Sequence, residues 1–299
     1  MIKINLFLIL LISCTGFDLP AQDLDKLLGG ITTDTIPDYA YGTFKGTTII
    51  NGQSVEVAGH NDLHFLVSHR FGAVNTGIYG FFGLDQGTTR LGLEYGIMDN
   101  LALSLGRSSN EKTYDLGMKI KVLRQQKGLR DIPVTLTVYT AGFIETLKWD
   151  DPDRDNLFSS RLAYTTQLLI ARKFDKNLSI QLSPSFVHFN LVKTETDQNN
   201  VFSAGLGGRY KLTPKFSVNG EYYFLFPGKT ADDYSDSFSL GFDIETGGHI
   251  FQIHFTNSQL MYTPGFIART VRNWIDGDIF IGFNIYRIFT LGRNSKNFN

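Results

Sequence analysis

Residues 238–245 read Phe238-Ser239-Leu240-Gly241-Phe242-Asp243-Ile244-Glu245, with apolar side chains at even positions and small or ionic ones at odd positions. Successive side chains of a strand point to opposite faces, so this octet describes a ribbon with one greasy side and one polar side. The same period recurs along the chain. Leu91, Leu93, Tyr95 and Ile97 alternate with Arg90, Gly92, Glu94 and Gly96, and Leu116, Met118, Ile120 and Val122 with Asp115, Gly117, Lys119 and Lys121. Near the C-terminus, Ile279, Ile281, Phe283 and Ile285 alternate with Phe280, Gly282, Asn284 and Tyr286.

Read outward from these stretches, the pattern predicts twelve strands: 60–71, 88–98, 100–109, 112–123, 132–147, 158–173, 177–191, 201–212, 215–226, 236–246, 249–258 and 278–290. Ordinary globular strands average about 5–6 residues, whereas a tilted membrane-spanning strand needs about 9–11. The connections alternate as well. Met98-Asp99-Asn100, Asp175-Lys176, Thr213-Pro214 and Gly247-Gly248 are tight turns, and 148–157, 192–200, 227–235 and 259–277 are longer polar loops. One pair of joints breaks this rule: the connection near Asn110-Glu111 is short where a long loop is due, and 124–131 is long where a turn is due.

A β-sandwich alternates too, but its polar face meets water and favours Thr, Lys and Glu. Here the polar face is rich in small residues, among them Gly92, Gly96, Ala102, Gly106, Gly117, Gly205, Gly207 and Gly241, which suit a crowded inner wall. Tyr95, Tyr114, Tyr164, Tyr210, Phe216, Tyr222, Phe224, Phe226 and Phe251 fall toward strand ends on the apolar side, where amphipathic rings sit at a membrane interface. In hydrocarbon no strand edge can stay unpaired, so the sheet must close. The expected fold is an all-β, transmembrane, antiparallel up-and-down β-barrel of about twelve strands. Residues 43–57 leave fourteen possible, as a hairpin around Asn51-Gly52, or else form a segment packed at the barrel mouth.

Composition narrows the class. The 299 residues carry 28 Lys+Arg against 29 Asp+Glu, a net charge of −1, which argues against nucleic-acid binding. Past the first residues there is no apolar run of the roughly 18 residues a spanning helix needs. Residues 1–12, with Lys3 ahead of a short apolar run, fit an export signal. Cleavage near Leu19-Pro20-Ala21 is one reading; the other takes Leu11-Ile12-Ser13-Cys14 as a lipobox with Cys14 lipidated. Cys14 is the single cysteine, so the mature body has no thiol for a disulfide, a metal or a nucleophile. The expected organisation is a signal over 1–21, a lead-in over 22–58 with Leu24, Leu27 and Leu28 on one helical turn, the barrel over 59–290, and a tail over 291–299.

Several local stretches occur together in order: Phe44-Lys45-Gly46-Thr47, Ile50-Asn51-Gly52, Ser54-Val55-Glu56, His69-Arg70-Phe71-Gly72, Phe82-Gly83-Leu84-Asp85, Gly106-Arg107-Ser108-Ser109 and Tyr114-Asp115. Across roughly 40–290 the chain thereby resembles a family of outer-membrane β-barrel proteins of the Bacteroidetes group, a domain of unknown function. The resemblance implies the barrel and its location in the outer membrane of a Gram-negative-type bacterium. It assigns no activity and no functional residues.

Catalytic and metal chemistry find little footing. The six histidines lack zincin or haem-attachment spacing, and His60 and His64, four strand residues apart, would lie about 13 Å from each other at ~3.3 Å per residue. His254-Phe255-Thr256-Asn257-Ser258 superficially resembles the clusters of outer-membrane lipid hydrolases, yet Ser258 is equally far from His254, beyond the reach a base needs. Gly205-Leu206-Gly207-Gly208 lies within a strand with no helix following, so it reads as close packing rather than a phosphate loop. No cofactor and no metal are implied, and the protein reads as a non-enzyme.

The informative group is the set of charges on the expected inner face: Arg90, Glu94, Lys119, Lys121, Arg161, Arg209, Glu221, Asp243 and Glu245. A lumen spares them hydrocarbon, where Lys or Arg at the midplane costs about 2–4 kcal/mol. Lining a water-filled path, they would make the protein a passive channel or transporter for small polar solutes or ions; forming an internal salt-bridge network, they would plug a non-conducting barrel that presents its outer loops to a partner. Both readings stand at this stage, with outer-membrane lipid as the surrounding partner.

Overall fold

The computed structural model describes residues 37–128, 130–149, 151–153, 155–227 and 234–291. The expected signal, the helical turn at Leu24–Leu28 and the tail lie outside the described residues. The wall is a closed ring of twelve antiparallel strands. In chain order these are β2 (Asp62–Ala73), β3 (Gly87–Met98), β4 (Leu101–Ser108), β5 (Tyr114–Leu123), β7 (Thr135–Ile144), β8 (Leu162–Lys173), β9 (Leu178–Phe189), β10 (Asn200–Lys211), β11 (Phe216–Leu225), β12 (Ser237–Thr246), β13 (His249–Thr256) and β14 (Phe280–Thr290). A two-residue ladder, β1 (Asp38–Tyr39) with β6 (Gln126–Lys127), lies outside the wall.

Each wall strand pairs with its chain neighbour, and β14 closes on β2 from Phe280↔Ala73 to Thr290↔Asp62. The ring therefore leaves no free edge, as lipid demands. Strands run 8 to 12 residues, somewhat shorter than the alternation suggests, because the pattern continues into turns that have left the ladder. Among the described residues no helix is long and apolar enough to cross a membrane.

Burial follows the period-two pattern. On β5, Leu116 is 63% exposed while its neighbour Asp115 is 4% exposed; Leu91, Leu105, Phe242 and Ile253 are also exposed, and Lys119, Glu221 and Asp243 are buried. The apolar face is thus the outside of the cylinder and the polar face its interior. Tyr95, Tyr114, Tyr164, Tyr210, Tyr222, Phe226 and Phe251 are exposed on the outside near strand ends, as interfacial rings should be.

Both barrel ends of the chain meet on one rim, where the Leu291 N–H donates to Asn61 O. That rim carries the tight turns. Its exception, 124–134, is long because it contains β6, which pairs with β1 and docks the incoming chain. On the other rim, the short 109–113 connection is a single 3-10 turn over Asn110–Lys112.

The interior decides one point the sequence leaves open, and the structure corrects two expectations. Residues 43–57 add no strand to the wall; they enter the lumen, with Phe44, Ile49, Ile50, Val55 and Ala58 buried there. The connection after β13 is not a polar external loop. Its Met261–Ala268 stretch is apolar, and the short helix α1 (Thr263–Ala268) is buried at all six residues, started by Pro264 in the first turn. Arg161 is not on a strand but in the 3-10 turn Phe158–Arg161 before β8, where its guanidinium lies 3.7 Å above the Trp149 ring and donates to the Glu145 and Leu147 carbonyls.

Candidate functional site: a filled lumen

The segment 43–58 reverses direction at Asn51-Gly52, with Ile49 N–H to Gly52 O at 2.8 Å and Ser54 N–H to Thr47 O at 2.9 Å. Most of its other backbone groups have no ladder partner, and a buried unpaired amide is costly, so the wall must satisfy them. It does so with side chains from around the ring.

Glu221 on β11 receives the tip. Its carboxylate accepts the backbone N–H groups of Ile50, Asn51 and Gly52 at 3.2, 2.8 and 3.0 Å. Gln252 and Asn284 donate to the Ile49 and Ile50 carbonyls at 2.7 and 3.1 Å. Two strands along the ring from Glu221, Gln181 on β9 accepts the Val55 N–H at 2.8 Å and donates to Gln53 O at 2.7 Å, reading the backbone at two points. Thr137 on β7 donates to Val55 O at 2.9 Å.

The ionic side chains take the rest. Lys119 on β5 donates to Thr47 O at 2.5 Å and Glu56 O at 3.3 Å, and pairs with Glu94 at 3.4 Å; Glu94 in turn accepts the Ala58 N–H at 3.1 Å. Lys121 lies 3.7 Å from the Glu56 carboxylate, and Glu245 pairs with Lys45. Arg209 donates to Gly42 O at 3.1 Å. Asp243 accepts Gln252 at 2.7 Å, and so orients the side chain that holds Ile49. Arg90 forms a bidentate pair with Asp115 at 2.5 and 2.9 Å within the wall itself.

Eight of the nine charges singled out from the sequence are therefore on interior-facing wall positions. Arg161, at the rim, is the ninth. Two interior charges were absent from that set although their phase gives them away: Asp115 shares the parity of Gly117 and Lys119, and Arg70 that of Ser68. Arg70 is the more consequential. Its guanidinium donates to the Asn51 side-chain carbonyl, to Ser258 O, and to Leu260 O at 3.2 Å, so one side chain ties the lumenal segment to the loop after β13.

The glycines of the inner wall now have a cause. A Cβ on Gly96 would run into the carbonyls of Ala58 and Gly59, one on Gly207 into Ile49 Cδ1, and one on Gly241 would lie 3.1 Å from Ile50 Cδ1. They leave room for the segment inside.

Residues 258–270 close the other end. Phe266 packs edge-on to Tyr223 at 5.1 Å between centroids, and Tyr262 sits 6.2 Å from Phe143. The Tyr262 hydroxyl donates to Glu111, which also pairs with Lys193 at 2.7 Å, so three connections of this rim meet at one carboxylate. Burial pushes the Glu111 carboxyl up, but hydrogen bonds from Lys193 and Tyr262 outweigh it and hold the group below its ordinary value. Glu145 beside it is pushed the other way by burial and by the Glu111 charge. Between the two fillings, against β2–β5, remains a cavity of ≈ 50 Å³ that touches Arg70, Arg90, Glu94 and Thr263. That is room for a few waters, not for a solute.

His254 and Ser258 do not form a nucleophile–base pair. The His254 ring faces the Arg70 guanidinium at 3.3 Å, and the Ser258 hydroxyl donates to Leu260 O at 3.4 Å. His60 lies in the turn before β2, bonded to Ile97 O at 2.7 Å, away from His64 on the strand.

A closed ring with an apolar exterior, a polar interior and no free edge defines a membrane-bound β-barrel of the outer-membrane type. The chain matches the Membrane bound beta barrel domain (DUF5777) over residues 44–289 and belongs to that family; the match takes in the lumenal segment as well as the wall. No curated protein matches it. Solved structures to which it is similar include the NanC porin (11% identity, 76% of this chain and 98% of that one covered, TM-score 0.47). Others are an outer membrane channel from Pseudomonas putida F1 (14% identity, 78% and 97% covered, TM-score 0.48) and Omp33 of Acinetobacter baumannii (12% identity, 79% and 100% covered, TM-score 0.41).

Proposed function

We propose that the protein is a passive channel for small polar solutes or ions in the outer membrane of a Gram-negative-type bacterium, of the Bacteroidetes group that the sequence motifs imply. In the conformation described it is shut by its own residues 43–58 and 258–270. One observation carries this reading: the lumen is filled by two segments that are not part of the wall. A small barrel that serves only as a scaffold fills its interior with wall side chains, whereas twelve strands enclose space beyond that. Here the wall contributes glycines, serines and paired charges, a lining suited to water and solute once a segment withdraws.

The non-conducting reading has its own support in the density of bonds that hold the segment, Glu221 with its three N–H donors above all. The lipid-hydrolase reading has none: among the described residues no hydroxyl is hydrogen-bonded to the His254 ring, whose Nε2 faces the Arg70 guanidinium. Single-channel recording of the full chain in a planar bilayer separates the first two. Discrete openings with an ion preference support the channel; silence from well-folded protein at either polarity, and from variants that loosen the segment, rejects it.

A further inference from the structure

The way the wall holds residues 43–58 resembles the way a binding site holds a peptide. Its donors and acceptors go to backbone amides more than to side chains: Glu221 takes three consecutive N–H groups, Gln181 takes one N–H and gives one bond to a carbonyl, and Lys119 binds two carbonyls. Contacts to backbone amides do not depend on the side chains of the chain that supplies them, and Glu221 takes its three N–H groups from the turn at Asn51-Gly52.

The charges add an orientation. Lys121 on β5 meets the carboxylate of Glu56, and Glu245 on β12 meets the ammonium of Lys45. In the ring of twelve, β5 and β12 stand six strands apart, on opposite sides of the lumen. One wall therefore receives a negative group, the other a positive one, with amide readers between. A molecule carrying both charges on an amide backbone matches all three.

We infer that the solutes this lumen selects are short zwitterionic peptides, for which residues 43–58 are the resident stand-in. This rests on the channel reading and deepens it. Neutral sugars would satisfy the amide readers without the ion pairs, and a simple anion or cation would meet one attractive wall and one repulsive one.

The test is entry of triglycine, a neutral sugar of similar mass and gluconate, at equal osmolarity, into proteoliposomes holding the full chain. Lys45→Glu is run beside it, because it sets like charges against Glu245 and removes the ion pair that anchors the start of the segment. Triglycine is expected to enter about tenfold faster than either comparator, a discrimination within reach of one ion pair with its hydrogen bonds. The double variant Lys121→Gln/Glu245→Gln is expected to bring the peptide-to-sugar ratio near one while sugar still enters. Equal entry of all three solutes, or ion conductance with entry of none, overturns the peptide inference and leaves the channel standing. Neither entry nor conductance, in wild type and Lys45→Glu alike, overturns both.

Discussion

The Glu221 carboxylate, carried by a wall strand, accepts the Gly52 backbone N–H at 3.0 Å with the same oxygen that takes Ile50, while its other oxygen takes Asn51. Residues separated by about 170 positions thus share one hydrogen-bonded unit, and it fixes the deepest point of the lumenal segment. Because Gly52 has no side chain, its backbone can approach Glu221 and the Tyr223 ring; a Cβ there would overlap the Tyr223 hydroxyl.

Glu221→Ala leaves three buried N–H groups without their acceptor. Hydrogen bonds to charged groups are worth about 1.5–3 kcal/mol each, and partial rehydration offsets some of the loss, so the variant should unfold about 2–4 kcal/mol more easily. Denaturant titration in detergent micelles reads the change. A variant as stable as wild type would mean that the tip is not held there.

Two glycines of one strand should behave differently. Gly96→Ala forces a methyl into the Ala58 and Gly59 carbonyls, which cannot swing away, at a cost of about 1–3 kcal/mol. Gly92→Ala meets Leu66 Cβ at 3.6 Å, an ordinary contact, and should stay within about 0.5 kcal/mol of wild type. Equal effects in the same titration would show that residues 58–59 do not pack against β3.

Lipid exposure of the apolar face is tested at Leu206, an outward residue at the middle of β10. Leu206→Arg should cost about 2–4 kcal/mol for folding into phospholipid vesicles, the penalty of a cation near the midplane. At an exposed position in water the same change would stay within about 0.5 kcal/mol. A small effect in vesicles would contradict the membrane assignment.

The wall was legible in the sequence because period two survives in lipid as it does in any half-buried sheet: Phe238–Glu245 sufficed to phase β12, and the same phase separates exposed Leu116 from buried Asp115 on β5. The contents of the lumen were not legible. Residues 43–58 find their partners at Gln181, Glu221, Gln252 and Asn284, and nothing local announces contacts at such separations. A signal was present for the second filling, since Met261-Tyr262-Thr263-Pro264-Gly265-Phe266-Ile267-Ala268 is too apolar for a solvated loop. Arg161 was misplaced because strand-like composition continues back to Phe158, where the chain has already left the ladder for a 3-10 turn.

Acid should release the loop after β13. Glu111 titrates below its ordinary value of 4.5, so its contribution is in place above that value and is lost as pH falls through the lower value of the folded state. Glu145 works in reverse: raised in the folded protein, it takes up its proton first and eases repulsion of Glu111. Acrylamide quenching of Trp274, in a Trp149→Phe background, should hold steady or fall slightly on mild acidification and rise below about pH 4.5. Glu111→Gln should abolish the acid step. If quenching in that variant keeps the same step, another group governs the loop.

The most direct measurement is open probability in single-channel records of wild type and Lys45→Glu, each shown to be folded by its heat-dependent gel mobility. The expected result is rare openings of wild type and frequent openings of Lys45→Glu at the same unitary conductance, since the wall is unchanged and only its occupant is loosened. Identical open probabilities in the two, or no opening in either, would contradict the view that residues 43–58 shut a channel.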